Sequence, residues 1–226
     1  NMKKITIASF LAIFSFTTAS AEVGLNVGIS GQMGLFAASA TEVDVGTHGT
    51  TTDGNETNRE SDFIGLGYAS VFVEKTLGDR LFVGVDYVPD ALATETNETV
   101  RHDQNTADNL FTQKTNTVQV DFKDLTTAYI GVSINDSLYA KVGVMNVDII
   151  TNETLGTGSS YGNTDMDGTV AAVGYHMEND SGIFFRAEGS IMDFDGASLT
   201  SANGVNKITL DKLDGASAKI SVGKAF

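Results

Sequence analysis

The most regular feature of the chain is an alternation of apolar and polar positions that begins just after its first twenty residues. From 23 to 37 the odd positions are Val23, Leu25, Val27, Ile29, Gly31, Met33, Leu35 and Ala37. The even positions are Gly24, Asn26, Gly28, Ser30, Gln32, Gly34 and Phe36. One face is oily and the other small or polar. Period two is the mark of a β-strand, whose successive side chains point to opposite faces. Seven further segments follow the same rule, at about 63–75, 81–88, 118–134, 138–150, 169–177, 183–192 and 207–226. In the fifth strand Leu138, Ala140, Val142 and Val144 share a face opposite Tyr139, Lys141 and Gly143. In the second, both faces carry apolar residues and the phase is least clear.

The connections sort into two kinds. Those at 76–80, 135–137 and 178–182 are short. Those at 39–62, 89–117, 151–168 and 193–206 are longer, polar, and rich in Thr, Asn, Asp and Gly. Short and long alternate along the chain, as tight periplasmic turns and larger external loops do in an up-and-down barrel of an outer membrane. A water-soluble barrel of the lipocalin kind also has eight strands, with its oily residues inside around a ligand. Periodicity does not tell inside from outside. The polar face here is crowded with Gly, Ser, Asn and charges, which suits a narrow interior filled by small side chains and ion pairs. The predicted fold class is therefore all-β, an eight-stranded antiparallel up-and-down transmembrane β-barrel.

The first 21 residues read differently. Lys3 and Lys4 precede an apolar run over 5–16, and Ala19-Ser20-Ala21 is the small-x-small pattern of a signal-peptidase site. About 12 apolar residues are too few to cross a bilayer, which needs roughly 20. Residues 1–21 are expected to be a cleaved signal peptide, and 22–226 the barrel. No later apolar run reaches the ~18 residues of a transmembrane helix.

Composition narrows the function classes. The chain carries 14 Lys+Arg against 29 Asp+Glu, and loss of the two leader lysines takes the formal net charge from −15 to −17. Such a chain does not seek nucleic-acid phosphates. It has no cysteine, hence no disulfide, thiolate metal site or cysteine nucleophile. Gly 24 with Pro 1 fits strands and turns.

The last strand ends Lys219-Ile220-Ser221-Val222-Gly223-Lys224-Ala225-Phe226, with Ile220, Val222 and Phe226 on one face. This resembles the C-terminal signal of bacterial outer-membrane proteins read by the barrel assembly machinery, although Lys224 stands where that pattern prefers an apolar residue. The run 138–144, and 168–175 followed by a turn and Arg186-Ala187-Glu188, resemble strands of the OmpA-like and opacity-like small eight-stranded barrel family. The likeness extends over nearly all of 22–226. It implies outer-membrane localisation and contact with outer-membrane lipids; with nothing after Phe226, the peptidoglycan-binding domain that some members of that family carry is not expected.

Asp86, Lys141, Arg186, Glu188 and Lys219 fall on polar strand faces. If the oily faces meet lipid, these charges point inward and must pair, because a lone buried charge costs several kcal/mol. Arg186 and Lys141 are expected to meet Glu188 or Asp86, and the resemblance implies that such a network plugs the lumen. No serine stands in a motif near His48, His102 or His176. His176-Met177-Glu178 departs from the His-x-Ser arrangement of the lipid A deacylases, so no catalytic residues are expected. The run 163–168 imitates an EF-hand opening, but its twelfth position is Gly174 and a strand follows. Neither metal nor cofactor is expected. Asn-Glu-Thr at Asn55, Asn97 and Asn152 reads as loop composition. The expected role is structural, with acidic loops meeting neighbours, host or phage. The alternative is a narrow passive channel for small solutes.

Overall fold

The computed structural model describes residues 24–44, 56–89, 92–94, 96–104, 111–156, 158–204 and 206–226; the leader expected at 1–21 lies outside them. Every regular element among these residues is a strand: β1 (Leu25–Asp44), β2 (Glu56–Leu77), β3 (Leu81–Tyr87), β4 (Leu92–Ala93), β5 (Asn97–Gln104), β6 (Phe111–Ser133), β7 (Leu138–Leu155), β8 (Thr164–Glu178), β9 (Ile183–Phe194), β10 (Ala197–Thr200) and β11 (Asn206–Ala225). Eight of them form an antiparallel ring in the order β1-β2-β3-β6-β7-β8-β9-β11, and β11 closes it on β1. The short strands β4 and β5 follow β3 along β6, and β10 follows β9 along β11. At the seam Leu25 and Phe226 exchange backbone hydrogen bonds, Leu25 N–H donating at 3.2 Å and Phe226 N–H at 2.9 Å.

The oily faces look outward. Met33 is 77% exposed, Ile220 71% and Val173 65%; on β7 Val142 is 57% exposed, while Tyr139 and Lys141 on the other face of that strand are 5% and 8% exposed. The outward apolar surface runs from Val27 to Ala37 on β1, about the 9–11 residues that a tilted strand needs to cross a bilayer. Where all eight strands pair, the ring leaves no unpaired edge in hydrocarbon, and a belt of this size exposed to water would be a liability. The molecule is a membrane-spanning β-barrel of the outer-membrane type.

Beyond the belt, on the side of the long connections, the pattern inverts. Outward Leu138, Val142 and Val144 on β7 give way to inward, buried Met145, Val147 and Ile149. On β9 outward Ile191 is followed by inward Met192 and Phe194, and on β1 outward Leu35 by inward Phe36. Where lipid ends and water begins, the apolar side of the wall turns from outside to inside. β6 makes its own adjustment with a bulge between Lys123 and Thr126, where Asp124 has φ 54° and Leu125 turns into the core. The extra residue switches the parity of the strand.

The expected long loops are shorter than the sequence suggested. Strand pairing continues through Asp44 and from Glu56 across what was read as the loop 39–62. β4, β5 and the start of β6 occupy much of 89–117. β7 reaches Leu155, and β10 lies within 193–206. Outside the membrane both faces of a strand can be polar, so these extensions carry no alternation for the sequence reading to detect.

Candidate functional site

The lumen has two compartments. On the short-turn side it holds charges brought in by five strands. Lys141 Nζ meets Glu188 Oε2 at 2.8 Å, Arg186 Nη1 meets Glu74 Oε1 at 2.6 Å, and Lys219 Nζ meets Asp86 Oδ2 at 2.8 Å. All six side chains are almost fully enclosed. Tyr129 hydroxyl donates to Glu74 and Tyr139 hydroxyl to Glu188, both at 2.9 Å. Arg186 also donates through Nε to His176 Nδ1 at 3.0 Å, and its guanidinium lies 4.6 Å from the Phe184 ring centre and 5.3 Å from that of Tyr139. Lys141 sits 4.4 Å over the Tyr129 ring. Every charge here has a partner of opposite sign, and the rings fill the space between, which is what makes such burial tolerable.

Glycines on neighbouring strands let those rings lie flat against the wall. A methyl group on Gly174 would fall 2.3 Å from the Tyr139 ring, and one on Gly131 2.1 Å from Phe82. Phe82 in turn packs edge-on against Tyr139, with ring centres 5.8 Å apart.

On the long-connection side the lumen is apolar. Phe36, Val88, Leu125, Met145, Val147, Ile149, Met166, Val170, Met192, Phe194 and Leu213 form one buried cluster. The sequence reading expected small and charged residues throughout the interior, so this compartment is a correction. Its signal was present in the shift of apolar residues from even to odd positions at Val144 and Met145.

The structure also corrects the partner of Arg186. It meets Glu74 rather than Glu188 or Asp86. Glu74 was missed because both faces of its strand carry apolar residues, yet its opposition to outward Val71 and Val73 was legible. Of the histidines, His48 lies outside the described residues and His102 belongs to strand β5 rather than to a loop. His176 faces Arg186. In the EF-hand-like run Asn163 Oδ1 accepts from Thr151 N–H at 3.2 Å, and Asp167 from Asn146 at 2.8 Å. Among the described residues no group of three or more His, Cys, Asp and Glu is arranged to hold a metal ion. Asn55 lies outside the described residues, Asn97 starts β5, and Asn152 on β7 donates to Asp121 at 2.8 Å. Ile220, Val222 and Phe226 all face outward, and Lys224 turns back to donate to the carbonyl of Ser181.

No protein-family model matches the chain, and no curated protein does. Among solved structures it is similar to the outer membrane protein OprG from Pseudomonas aeruginosa, at 15% identity over 92% of this chain and 98% of that one, TM-score 0.49. It is similar to Ail, the attachment invasion locus protein of Yersinia pestis, crystallised with the heparin analogue sucrose octasulfate. There the identity is 11% over 88% of this chain and 99% of that one, TM-score 0.40. The outer membrane protease OmpT from Escherichia coli matches at 8% identity over 93% of this chain and 99% of that one, TM-score 0.45.

Proposed function

We propose that this outer-membrane barrel acts through its surfaces rather than its lumen. The belt anchors it in lipid. The acidic strand extensions and connections on the far side are held up as a display surface for neighbouring molecules, host surfaces or phage. The observation that supports this reading is the charge network: three ion pairs and three aromatic rings stand across a barrel whose width side chains alone can fill. Ile220, Val222 and Phe226 serve as the outward-facing signal for the assembly machinery, since their apolar side chains lie on the lipid face of the closing strand.

Single-channel recording of the refolded protein in a planar bilayer tests the plug. A silent bilayer is expected. Steady open events from the unaltered chain would refute it and return the narrow-channel reading. Replacement of the closing pair by Glu74→Ala with Arg186→Ala is expected to produce brief openings, because it removes both the charge and the bulk at the centre of the network.

A further inference from the structure

His176 and Glu178 are the last two inward positions of β8, at the short-turn mouth of the lumen. The imidazole stands between two partners of opposite kind. Arg186 Nε donates to its Nδ1 at 3.0 Å, and its Nε2 meets Glu178 Oε2 at 3.3 Å. A guanidinium has donors only, so Nδ1 carries no proton and Nε2 carries the one that goes to Glu178. The ring is therefore neutral in this arrangement and enters the plug as an acceptor. It also packs against Phe184, with ring centres 5.3 Å apart.

That acceptor decides how Arg186 is held. Nη1 is fixed by Glu74 at 2.6 Å and Nε by His176. The two bonds together set the plane of the guanidinium between the rings of Phe184 and Tyr139. The charged groups that face His176 are Arg186 of β9, Glu178 of its own strand and Glu74 of β2. Deeper in the lumen, Lys141 and Tyr139 of β7 are engaged by Glu188, and Lys219 of β11 by Asp86. The mouth is wet: the His176 side chain is 20% exposed and that of Glu178 beside it 41%.

We propose that His176 is a proton-operated latch on the plug, closed when neutral and released by acid from the short-turn side. A proton on Nδ1 removes the acceptor of Arg186 and sets two like charges side by side, donor facing donor across 3.0 Å. The imidazolium keeps Glu178 as its partner at the water edge, and Arg186 is left with the Glu74 bond. The guanidinium then turns about that one bond, and the centre of the network loosens while its other two ion pairs stay in place. The latch rests on the reading of the lumen as plugged, and its test must separate the two.

Single channels of the refolded full chain are recorded at about pH 7.5 and about pH 5.5, values that bracket the ordinary imidazole range and stay above that of carboxylates. The unaltered chain should be silent at the higher value and open in brief events at the lower. The rate of events should rise by about tenfold or more, as the protonated share of an imidazole does over that span. His176→Gln, whose amide oxygen accepts from Arg186 and takes up no proton, should be silent at both; His176→Asn serves if that variant does not fold, as judged by its mobility on an unheated gel. His176→Lys, with a fixed charge, should open in brief events at both. His48→Gln with His102→Gln should keep the acid response. Silence of the unaltered chain at both values would overturn the latch and leave the plug standing. So would acid openings that persist in His176→Gln or vanish in the His48 and His102 double variant, or a folded His176→Lys that stays silent. Openings of the unaltered chain at both values would refute the plug itself.

Discussion

Glu74→Ala is the sharpest probe of the lumen. Glu74 is 1% exposed and accepts from Arg186 at 2.6 Å, Tyr129 at 2.9 Å and Asn26 at 3.4 Å. Its removal leaves the Arg186 guanidinium buried with a neutral histidine nitrogen and aromatic faces as company. Breaking a buried pair by removing one partner costs about 3–5 kcal/mol. The rings at 4.6 and 5.3 Å return part of that, since a desolvated cation–π contact is worth up to about 2 kcal/mol. A net loss of about 3 kcal/mol is expected. With a urea dependence of about 2–3 kcal/mol per molar, the unfolding midpoint in lipid vesicles should fall by about 1–1.5 M. The double variant Glu74→Met with Arg186→Met removes both charges and should recover most of the loss, because a buried pair and an apolar replacement of similar volume are near balance. A single variant within about 0.5 kcal/mol of the parent would refute the reasoning, since it would mean that water already reaches and screens Arg186.

Other positions give independent checks. Gly174→Ala drives a methyl into the Tyr139 ring, displacing its hydroxyl from Glu188, and should cost about 1–3 kcal/mol in the same titration. Gly189→Ala, with nothing within 4 Å of the new methyl, should be silent. Val173→Arg, midway along the outward face of β8, should cost about 2–4 kcal/mol, whereas Asp193→Arg at the rim should cost about 0–1, so equal effects would contradict the depth of the belt. Phe194→Ala opens the apolar compartment and should destabilise by about 3–5 kcal/mol; a loss under 1 kcal/mol would argue that this cluster is not packed.

The sequence disclosed the parts of this fold that lipid dictates. Within the belt one face must be apolar, and so Val27, Ile29, Met33 and Leu35, or Leu138, Val142 and Val144, declare their strands without ambiguity. Above the membrane that constraint lapses. Thr41, Glu60 and Thr117 lie in paired strands, yet nothing in their pattern separates strand from loop. The charges of the lumen were legible as residues needing partners, but their pairing was not. Which carboxylate meets Arg186 depends on the stagger of β2 against β9, strands that are not neighbours in the ring. The apolar compartment was hidden for a related reason: an inverted phase is visible only once the point of inversion is known.

The seam between β1 and β11 has a consequence for how the molecule comes to exist. Its two members stand at opposite ends of the described chain, so the ring has no self-sufficient half. Any species that lacks β11 strands the outer rows of β1 and β9, and each unanswered amide in hydrocarbon costs several kcal/mol. Insertion should therefore behave as one ring-closing event. Its pace is set by the search that brings distant segments into register rather than by the formation of any hairpin. A population sampled during refolding should hold finished cylinders and unfolded chain, with no lasting arcs between them.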